Sequence, residues 1–483
     1  MNPPDVVSLG PARLTAGLDR AGRLDLRQHH AIHGSLAPLG ADALLALAEQ
    51  IKLCGRGGAG FPFAKKLKAV LESAYQRGGE TVVVVNATEG EPASWKDKVL
   101  LARAPHLILD GAALAAYALR ASEIVVGIAD DGVAGRSLMR ALDERRMPAP
   151  TRVVTVPHRF ISGEGGALVR GINGEFPIPP GRKTRASDTG VRGAPTLLSN
   201  AETYAHLAIG ALHGPAAYAS LGTEDEPGTV LLTVTGAVRR PLVVETPAGS
   251  PFADVLDVCG ADAASGVLVG GFHGKWITGA GAAAAEVSRK GFAAVGGVLG
   301  AGIVVPLGAG TCAIGETARV LQYLAGQSAG QCGPCRLGLP DVARAMTSLS
   351  SGGGGSALDT VRMAAGAVRG RGACSHPDGT SRFAISALET FTEDLSAHVL
   401  HEGCGKPVKG VLPIPGSEAQ SGRLTVDWTR CDGHGLCAHV VPELIRLDPN
   451  GFPAFPDAPV PPWLQPGARK AIAMCPALAL RLR

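Results

Sequence analysis

Ten cysteines are the first residues in this 483-residue chain whose spacing suggests chemistry. Cys332-Gly-Pro-Cys335 precedes Cys374 by a gap of 38 residues, and Cys431 and Cys437 precede a Cys475-Pro476 pair by a gap of 37. The first thirty residues contain no basic stretch leading into an apolar one, so no secretory signal is read and the compartment is predicted to be cytoplasmic. Thiols stay reduced there, so clustered cysteines point to metal rather than to disulfides. A C-x-x-C pair with a distant third cysteine recurs in iron–sulfur sites. Cys54, Cys259 and Cys312 fit no ligand spacing and read as small buried hydrophobes.

A second candidate is the loop Cys54-Gly-Arg-Gly-Gly-Ala-Gly-Phe-Pro62, in which Gly55, Gly57 and Gly60 match G-x-G-x-x-G. The dinucleotide fingerprint requires a strand before that loop, and residues 41–54 carry helical spacing instead, so a Rossmann site is disfavoured. Glycines still allow backbone N–H groups to approach a phosphate or flat ring, and Arg56, Lys65 and Lys66 add positive charge. Alone, the loop reads as a tight interhelical turn. The polar loop Asn86-Ala-Thr-Glu-Gly-Glu-Pro92 follows the apolar run 81–85, at the carboxyl end of a buried strand, where ligands sit in open α/β sheets. Glu89 and Glu91, taken alone, read as a solvated turn.

The elements that must position these loops follow from periodicity. Residues 41–54 and 63–75 read as helices, and 81–85, 122–130 and 151–157 as buried strands separated by helices, which makes 41–210 an α/β layer structure. Two β runs around a Gly-Ala-Val-Arg-Arg-Pro turn at 229–250 read as a hairpin. Residues 315–402 turn helical, with 351–356 as a flexible Gly/Ser joint. Residues 291–310 are uncharged, apolar and rich in glycine, and read as buried strand and turn rather than a membrane span. His29, His30 and His33 read as part of a solvated tail. At 46% hydrophobic, 18% charged and net charge +4, with no run of five or more like charges, the composition is globular and gives no case for nucleic acid or membrane binding. No G-x-S-x-G, Walker A or H-E-x-x-H motif supports a hydrolase or transferase.

Taken together, the loops at 55–62 and 86–92, Phe160–Leu168 and Pro195–Thr203 resemble, in order, the FMN-binding subunit of respiratory complex I and its relatives, the diaphorase subunits of soluble hydrogenases and formate dehydrogenases. The likeness covers about 41–403. It implies an α/β flavin domain at 41–224 after an N-terminal extension at 1–40, a soluble-ligand-binding β-grasp domain at 225–310 and a helical iron–sulfur bundle at 311–404, followed by a linker at 405–422. Residue by residue, it implies an FMN site of Gly55, Arg56, Gly57, Gly58, Lys66, Asn86, Glu89, Gly163, Glu164, Asn200 and Thr203, and a nicotinamide site of Phe61, Lys66 and Glu91, with Glu91 as the catalytic residue. Five positions depart from the family: Thr88 replaces an Asp, Phe160 a Tyr, Gly165 a Glu, and Ala69 and Gly181 two rings that hold the cofactor's adenine.

The same likeness implies a four-thiolate cluster site in the bundle, but Ala329 stands at its first ligand position, leaving Cys332, Cys335 and Cys374. A three-iron cluster, His376 as a substitute, rescue by Cys404, or loss of the cluster are the alternatives. The tail, 423–483, resembles single-cluster ferredoxins, with Cys431, His434, Cys437 and Cys475 as the ligand set of a [3Fe–4S] or [4Fe–4S] cluster. The fold class implied is α/β, with a β-grasp domain, a helical bundle and an α+β ferredoxin-like domain. The function implied is an FMN- and iron–sulfur-dependent oxidoreductase passing electrons from NAD(P)H to a redox protein acceptor, such as a haem protein or membrane reductase, with a separate [2Fe–2S] protein as a further partner. The alternative is a non-catalytic electron-transfer subunit that takes electrons from a protein partner and leaves free NADH unoxidised.

Overall fold

The computed structural model describes residues 4–129, 132–181, 184–401, 403–415, 423–455, 460 and 464–482. The chain divides into two units, Met1–Pro413 and Ile414–Arg483. Residues 416–422 of the expected linker lie outside the described residues.

The first unit opens with β1 (Asp5–Ser8), α1 (Leu26–His33), α2 (Ala41–Gln50) and α3 (Phe63–Arg77). An α/β layer follows: β2 (Val82–Ala87), α4 (Lys96–Arg103), α5 (Pro105–Leu119), β3 (Glu123–Ile128), α6 (Val133–Asp143), β4 (Thr151–Thr155), α7 (Gly165–Ile172), β5 (Thr196–Asn200) and α8 (Ala201–Ala219). Its four parallel strands run in the order β4-β3-β2-β5. The central strands are covered on both faces, which is why Val82–Val85 is an unbroken apolar run instead of an alternating one. α5 is buried almost all round and packs on α8. Gly111 makes that contact possible, because a Cβ there would collide with the Tyr204 carbonyl. Together with α4, α5 forms an apolar pair bent by 94°, but no single helix among the described residues is long and apolar enough to cross a membrane.

A mixed sheet comes next, from β6 (Thr229–Val234), β7 (Leu242–Pro247), β8 (Val267–Val269), β9 (Lys275–Ile277) and β10 (Ile303–Pro306), with α9 (Phe252–Cys259), α10 (Gly279–Ala284) and α11 (Arg289–Ala294) between them. β6 and β7 form the expected hairpin. The stretch 291–310, expected as strand and turn, ends α11 before it becomes β10. β1 pairs in parallel with β7, so the N-terminal segment is an edge of this sheet. The expectation of a solvated tail at His29–His33 is corrected as well. His29 is fully buried, and its Nε2 lies 2.8 Å from Asp110 Oδ2. The capping box Asp25/Gln28 starts α1, a local signal that tertiary burial then completes.

Helices close the unit: α12 (Ala313–Gly326), α13 (Leu339–Ser350), α14 (Gly354–Val368), α15 (His376–Thr390) and α16 (Thr392–Leu400). α14 begins inside the glycine stretch, so the joint is confined to residues 351–353. Residues 407–412 are pinned to α12 instead of running free. Cys312 donates its N–H to the Pro407 carbonyl, and the Glu316 carboxylate accepts from the N–H groups of Gly410, Val411 and Leu412.

The second unit contains β11 (Leu424–Val426), α17 (Leu436–Val440), β12 (Arg446–Leu447), β13 (Pro453–Ala454), α18 (Gln465–Met474) and β14 (Leu480–Leu482). β11 and β14 pair antiparallel, which brings the two ends of the segment together. Its core is Leu424, Val441, Ile445, Val460, Ala468, Ala471 and Leu480.

Candidate functional site

The flavin-site candidates converge on the carboxyl edge of β2 and β5, where Asn86 and Asn200 are register partners. Each neighbouring loop is tied to that edge. Arg56 donates its backbone N–H to the Thr203 hydroxyl at 2.9 Å, and Lys66 Nζ donates to the Leu198 carbonyl at 2.8 Å. Asn86 Nδ2 donates to the Gly163 carbonyl at 2.9 Å, which joins the loop 86–92 to the segment 160–164. Gly57 faces Asn200 so closely that a Cβ would lie 3.3 Å from the Asn200 Cβ, and one on Gly163 would lie 3.1 Å from the Thr88 hydroxyl. Gly58 and Gly60 have positive φ, so the loop needs glycine at both places. The loop closes on itself through Gly55 N–H to Phe61 O at 2.9 Å and is held from outside by Arg289. Phe61 is 50% exposed at its rim.

The side chains divide by what their polar atoms do. Lys66 is depressed to about 8 by burial. Glu91 is pushed up to about 8 by burial, which outweighs the hydrogen bond its carboxylate accepts from the Phe272 N–H at 3.0 Å. The residue is half-buried as a whole, yet its Oε1 is buried without a partner. A solvated turn is therefore the wrong reading of Glu91. It is wrong for Glu89 too, whose carboxylate accepts from Ser94 Oγ at 2.6 Å and from the N–H groups of Asp97 and Lys98 at 3.0 and 2.8 Å, capping α4. Glu164 caps α7 by accepting from the Ala167 N–H at 2.9 Å. Asn200 caps α8 and donates to Asp97 Oδ2 at 2.6 Å. The Arg56 guanidinium is buried, with Nε and Nη1 unpartnered, and acts electrostatically on Glu202, His206 and Tyr218.

Sequence reasoning missed the support beneath this edge. Lys96 is fully buried, with its Nζ 2.6 Å from Glu202 Oε2 and 3.3 Å from Asp97 Oδ1. Nothing in the local pattern marks a lysine on α4 as buried; the only signal is its place after the 86–92 loop. A ring cluster, Phe160, His273, Tyr323 and His376, was also missed.

The glycine cradle, the orphaned Glu91 Oε1 and the cationic Lys66 fit a flat polar ring carrying a phosphate. Gly57, Gly58, Gly163, Lys66 and Asn86 would hold it directly. Glu89, Glu164 and Asn200 spend hydrogen bonds on fixing the loops.

In the bundle, Cys332 Sγ lies 3.6 Å from Cys335 Sγ at a π-turn over Pro334–Gly338. Burial pushes the Cys335 and Cys374 thiols up, and their neighbours add to it, Cys332 and Cys374 acting on Cys335 and Cys332 on Cys374. The Ala329 backbone reaches the Cys335 sulfur. Two candidate replacements are corrected. His376 has both nitrogens engaged, Nε2 with the Leu324 carbonyl and Nδ1 with His273, each at 2.9 Å. Cys404 lies beside Cys312 and His398 instead. Three thiols remain, a donor set that fits a cluster with one non-cysteine position. In the second unit, Cys431, His434, Cys437 and Cys475 line one cavity with Pro476 and Leu480, and Gly433 and Gly435 take positive φ to turn the loop around it. Three thiols and an imidazole around one space suit an iron–sulfur cluster.

Known proteins are similar over these same segments. Residues 48–209 match the Nuo51 FMN-binding domain, 315–398 the NADH-ubiquinone oxidoreductase-F iron-sulfur binding region, and 424–482 a 4Fe-4S single cluster domain. The F 2 subunit of the NADH-quinone oxidoreductase of Rhizobium meliloti is 26% identical over 396 residues, covering 78% of this chain and 93% of its own. The HndC subunit of the NADP-reducing hydrogenase of Solidesulfovibrio fructosivorans is 25% identical over 416 residues, 82% of each. A chain of an NAD+-reducing [NiFe]-hydrogenase in the air-oxidised state shares the fold with a TM-score of 0.71 at 24% identity, covering 85% of this chain and 69% of its own. FMN and iron–sulfur clusters are thus the redox groups of an oxidoreductase: the chain carries a Nuo51 FMN-binding domain, an NADH-ubiquinone oxidoreductase-F iron-sulfur binding region and, at 424–482, a 4Fe-4S single cluster domain, and it is similar over most of its length to F subunits of NADH-quinone oxidoreductases.

Proposed function

We propose that the chain takes electrons from NAD(P)H at its flavin and delivers them singly, through the bundle cluster and the ferredoxin domain, to a redox protein acceptor. The observation that carries this reading is the convergence of Gly57, Lys66, Asn86, Gly163 and Asn200 on one sheet edge, with Phe61 exposed at its rim and the Glu91 Oε1 buried without a partner. A bound flavin accepts a hydride and gives up its electrons one at a time. The chain's own residues do the rest. Lys66 supplies positive charge for the phosphate, and Phe61 offers a ring face to the nicotinamide. The uncharged Glu91 carboxyl keeps negative charge away from an electron-rich ring and orients it through Oε1. Cys332, Cys335 and Cys374 hold the bundle cluster, and Cys431, His434, Cys437 and Cys475 the tail cluster.

The relatives are subunits of larger assemblies by name, so partner chains belong to this reading: a protein acceptor, and a separate [2Fe–2S] protein. A second reading has the flavin reduced by a protein instead of by free NADH. It is favoured by Ala69, half-buried on α3 without a ring, and by the exposed Gly181. Aromatic contacts are each worth about 0.5–1.5 kcal/mol beyond area burial, so losing two lowers dinucleotide affinity by about fivefold to 150-fold. Anaerobic mixing of the purified holoprotein with NADH tests both. Bleaching of the flavin absorbance supports the first reading, and an unchanged spectrum with flavin that dithionite still reduces supports the second.

A further inference from the structure

We propose that Cys312, His398 and Cys404 form a zinc site separate from both cluster sites. One ligand atom from each lies within 4.8 Å of the others, with Cys312 and His398 buried. Cys312 Sγ is 3.2 Å from His398 Nε2. A tetrahedral zinc ion with bonds of about 2.3 Å to sulfur and 2.0–2.1 Å to nitrogen sets its ligand atoms about 3.5–3.8 Å apart, within the span observed.

The fold gathers the three residues from three segments. Cys312 is the N-cap of α12, and its sulfur accepts from the Gly315 N–H at 3.2 Å, which fixes its direction. His398 sits in the last turn of α16. Cys404 arrives from the segment pinned to α12 through Pro407 and Glu316. His398 directs Nε2 at the Cys312 sulfur, while its Nδ1 is buried without a hydrogen-bond partner. Asp394 belongs to the supporting structure: its Oδ1 accepts from Lys406 Nζ at 2.8 Å and its Oδ2 from the Ala313 N–H at 3.3 Å, which leaves the fourth position to a water. Two thiolates neutralise a divalent ion, and the imidazole adds a neutral donor, so the bound site carries no net charge into the interior. Cys259, by contrast, is packed among apolar side chains with no second ligand, as a structural thiol should be. Binding displaces the two thiol protons to solvent, and the ion fastens the segment after α16 to the start of α12.

The full chain, expressed with zinc in the medium and purified anaerobically, is analysed for zinc, iron and FMN after dialysis against a weak chelator. About one zinc per chain is expected beyond the clusters' iron. Cys404→Ser, at the more accessible position, and His398→Gln should each retain at least tenfold less zinc with iron and FMN unchanged, whereas Cys332→Ser should lose iron and keep zinc. Wild-type protein without zinc, variants with undiminished zinc, loss of iron in place of zinc, or a Cys312–Cys404 disulfide in peptide mass spectra would each overturn the proposal.

Discussion

Lys96→Met is the substitution that most sharply probes the support beneath the flavin edge. Lys96 is enclosed by Asp97, Glu202 and Asn200, with all three ion-pair side chains 2–3% exposed. Burial alone would strip its proton, but the two carboxylates raise its proton affinity overall. Glu202, despite a burial effect of opposite sign, is held down to about 2 by Lys96 and then His206. Asp97 moves the other way, pushed up to about 6 by burial against the Lys96 charge. The Lys96–Glu202 contact at 2.6 Å is therefore the true ion pair, and Asp97 the secondary partner. Methionine fills nearly the same volume without the charge. Removing one member of a buried pair costs about 3–5 kcal/mol. For a unit of Met1–Pro413, with about 2.1 cal/mol/K of unfolding entropy per residue, each kcal/mol lowers Tm by about 1–2 °C, so a fall of about 3–10 °C is expected. Asn200 donates to Asp97 at 2.6 Å, so flavin should also be released at lower denaturant than the fold requires. Guanidinium titration followed by far-UV circular dichroism and flavin fluorescence measures both. Lys96→Met/Glu202→Leu removes the stranded carboxylate and should recover at least half of the loss. A Lys96→Met variant within about 1 kcal/mol of wild type, or a double variant no better than the single, would mean that the ion pair does not carry this edge.

Lys66→Met removes a hydrogen-bonding cation at the glycine loop; charged hydrogen bonds are worth about 1.5–3 kcal/mol, so apoprotein should bind FMN about 10–150-fold more weakly in a fluorescence titration. Glu91→Gln has a pH signature. Burial raises the native pKa to about 8, so the native state keeps a proton that the unfolded chain releases above about 4.5, and wild-type stability falls as pH rises between those values. The variant should match wild type below pH ~4.5 and exceed it in Tm at pH ~8 and above; a pH-independent difference would count against a buried neutral carboxyl. His434→Ala should leave three thiolates in the tail and a cluster of three irons, seen as an EPR signal of the oxidised protein, with the bundle cluster unaffected.

The strands β2, β3 and β4 were legible because a doubly covered parallel sheet writes itself as unbroken β-branched runs. β5 was not, since Thr196–Asn200 is a short mixed run recognisable only through its likeness to a family motif. β1 and α1 escaped because their partners, β7 and α5, lie more than seventy residues away in sequence. Glycine spacing located the flavin loop, but not which polar atoms are free. Glu89 and Glu91 are two residues apart, and only the fold sends one to cap α4 and the other into a buried pocket. The cysteine spacing found the C-x-x-C pair and the tail set. Cys312 reads as a hydrophobe in sequence because His398 and Cys404 are far from it along the chain, and only the packing of α12 against α16 and the segment after it brings them together.

The most direct test of the electron path is anaerobic titration of the full-length holoprotein with NADH, followed by flavin absorbance and by low-temperature EPR. Bleaching of the flavin is expected as NADH is added, and a signal from reduced iron–sulfur cluster should grow in the same samples as the titration passes the single equivalent that the flavin's own two electrons require. Flavin and clusters that dithionite reduces but NADH leaves untouched would contradict that path.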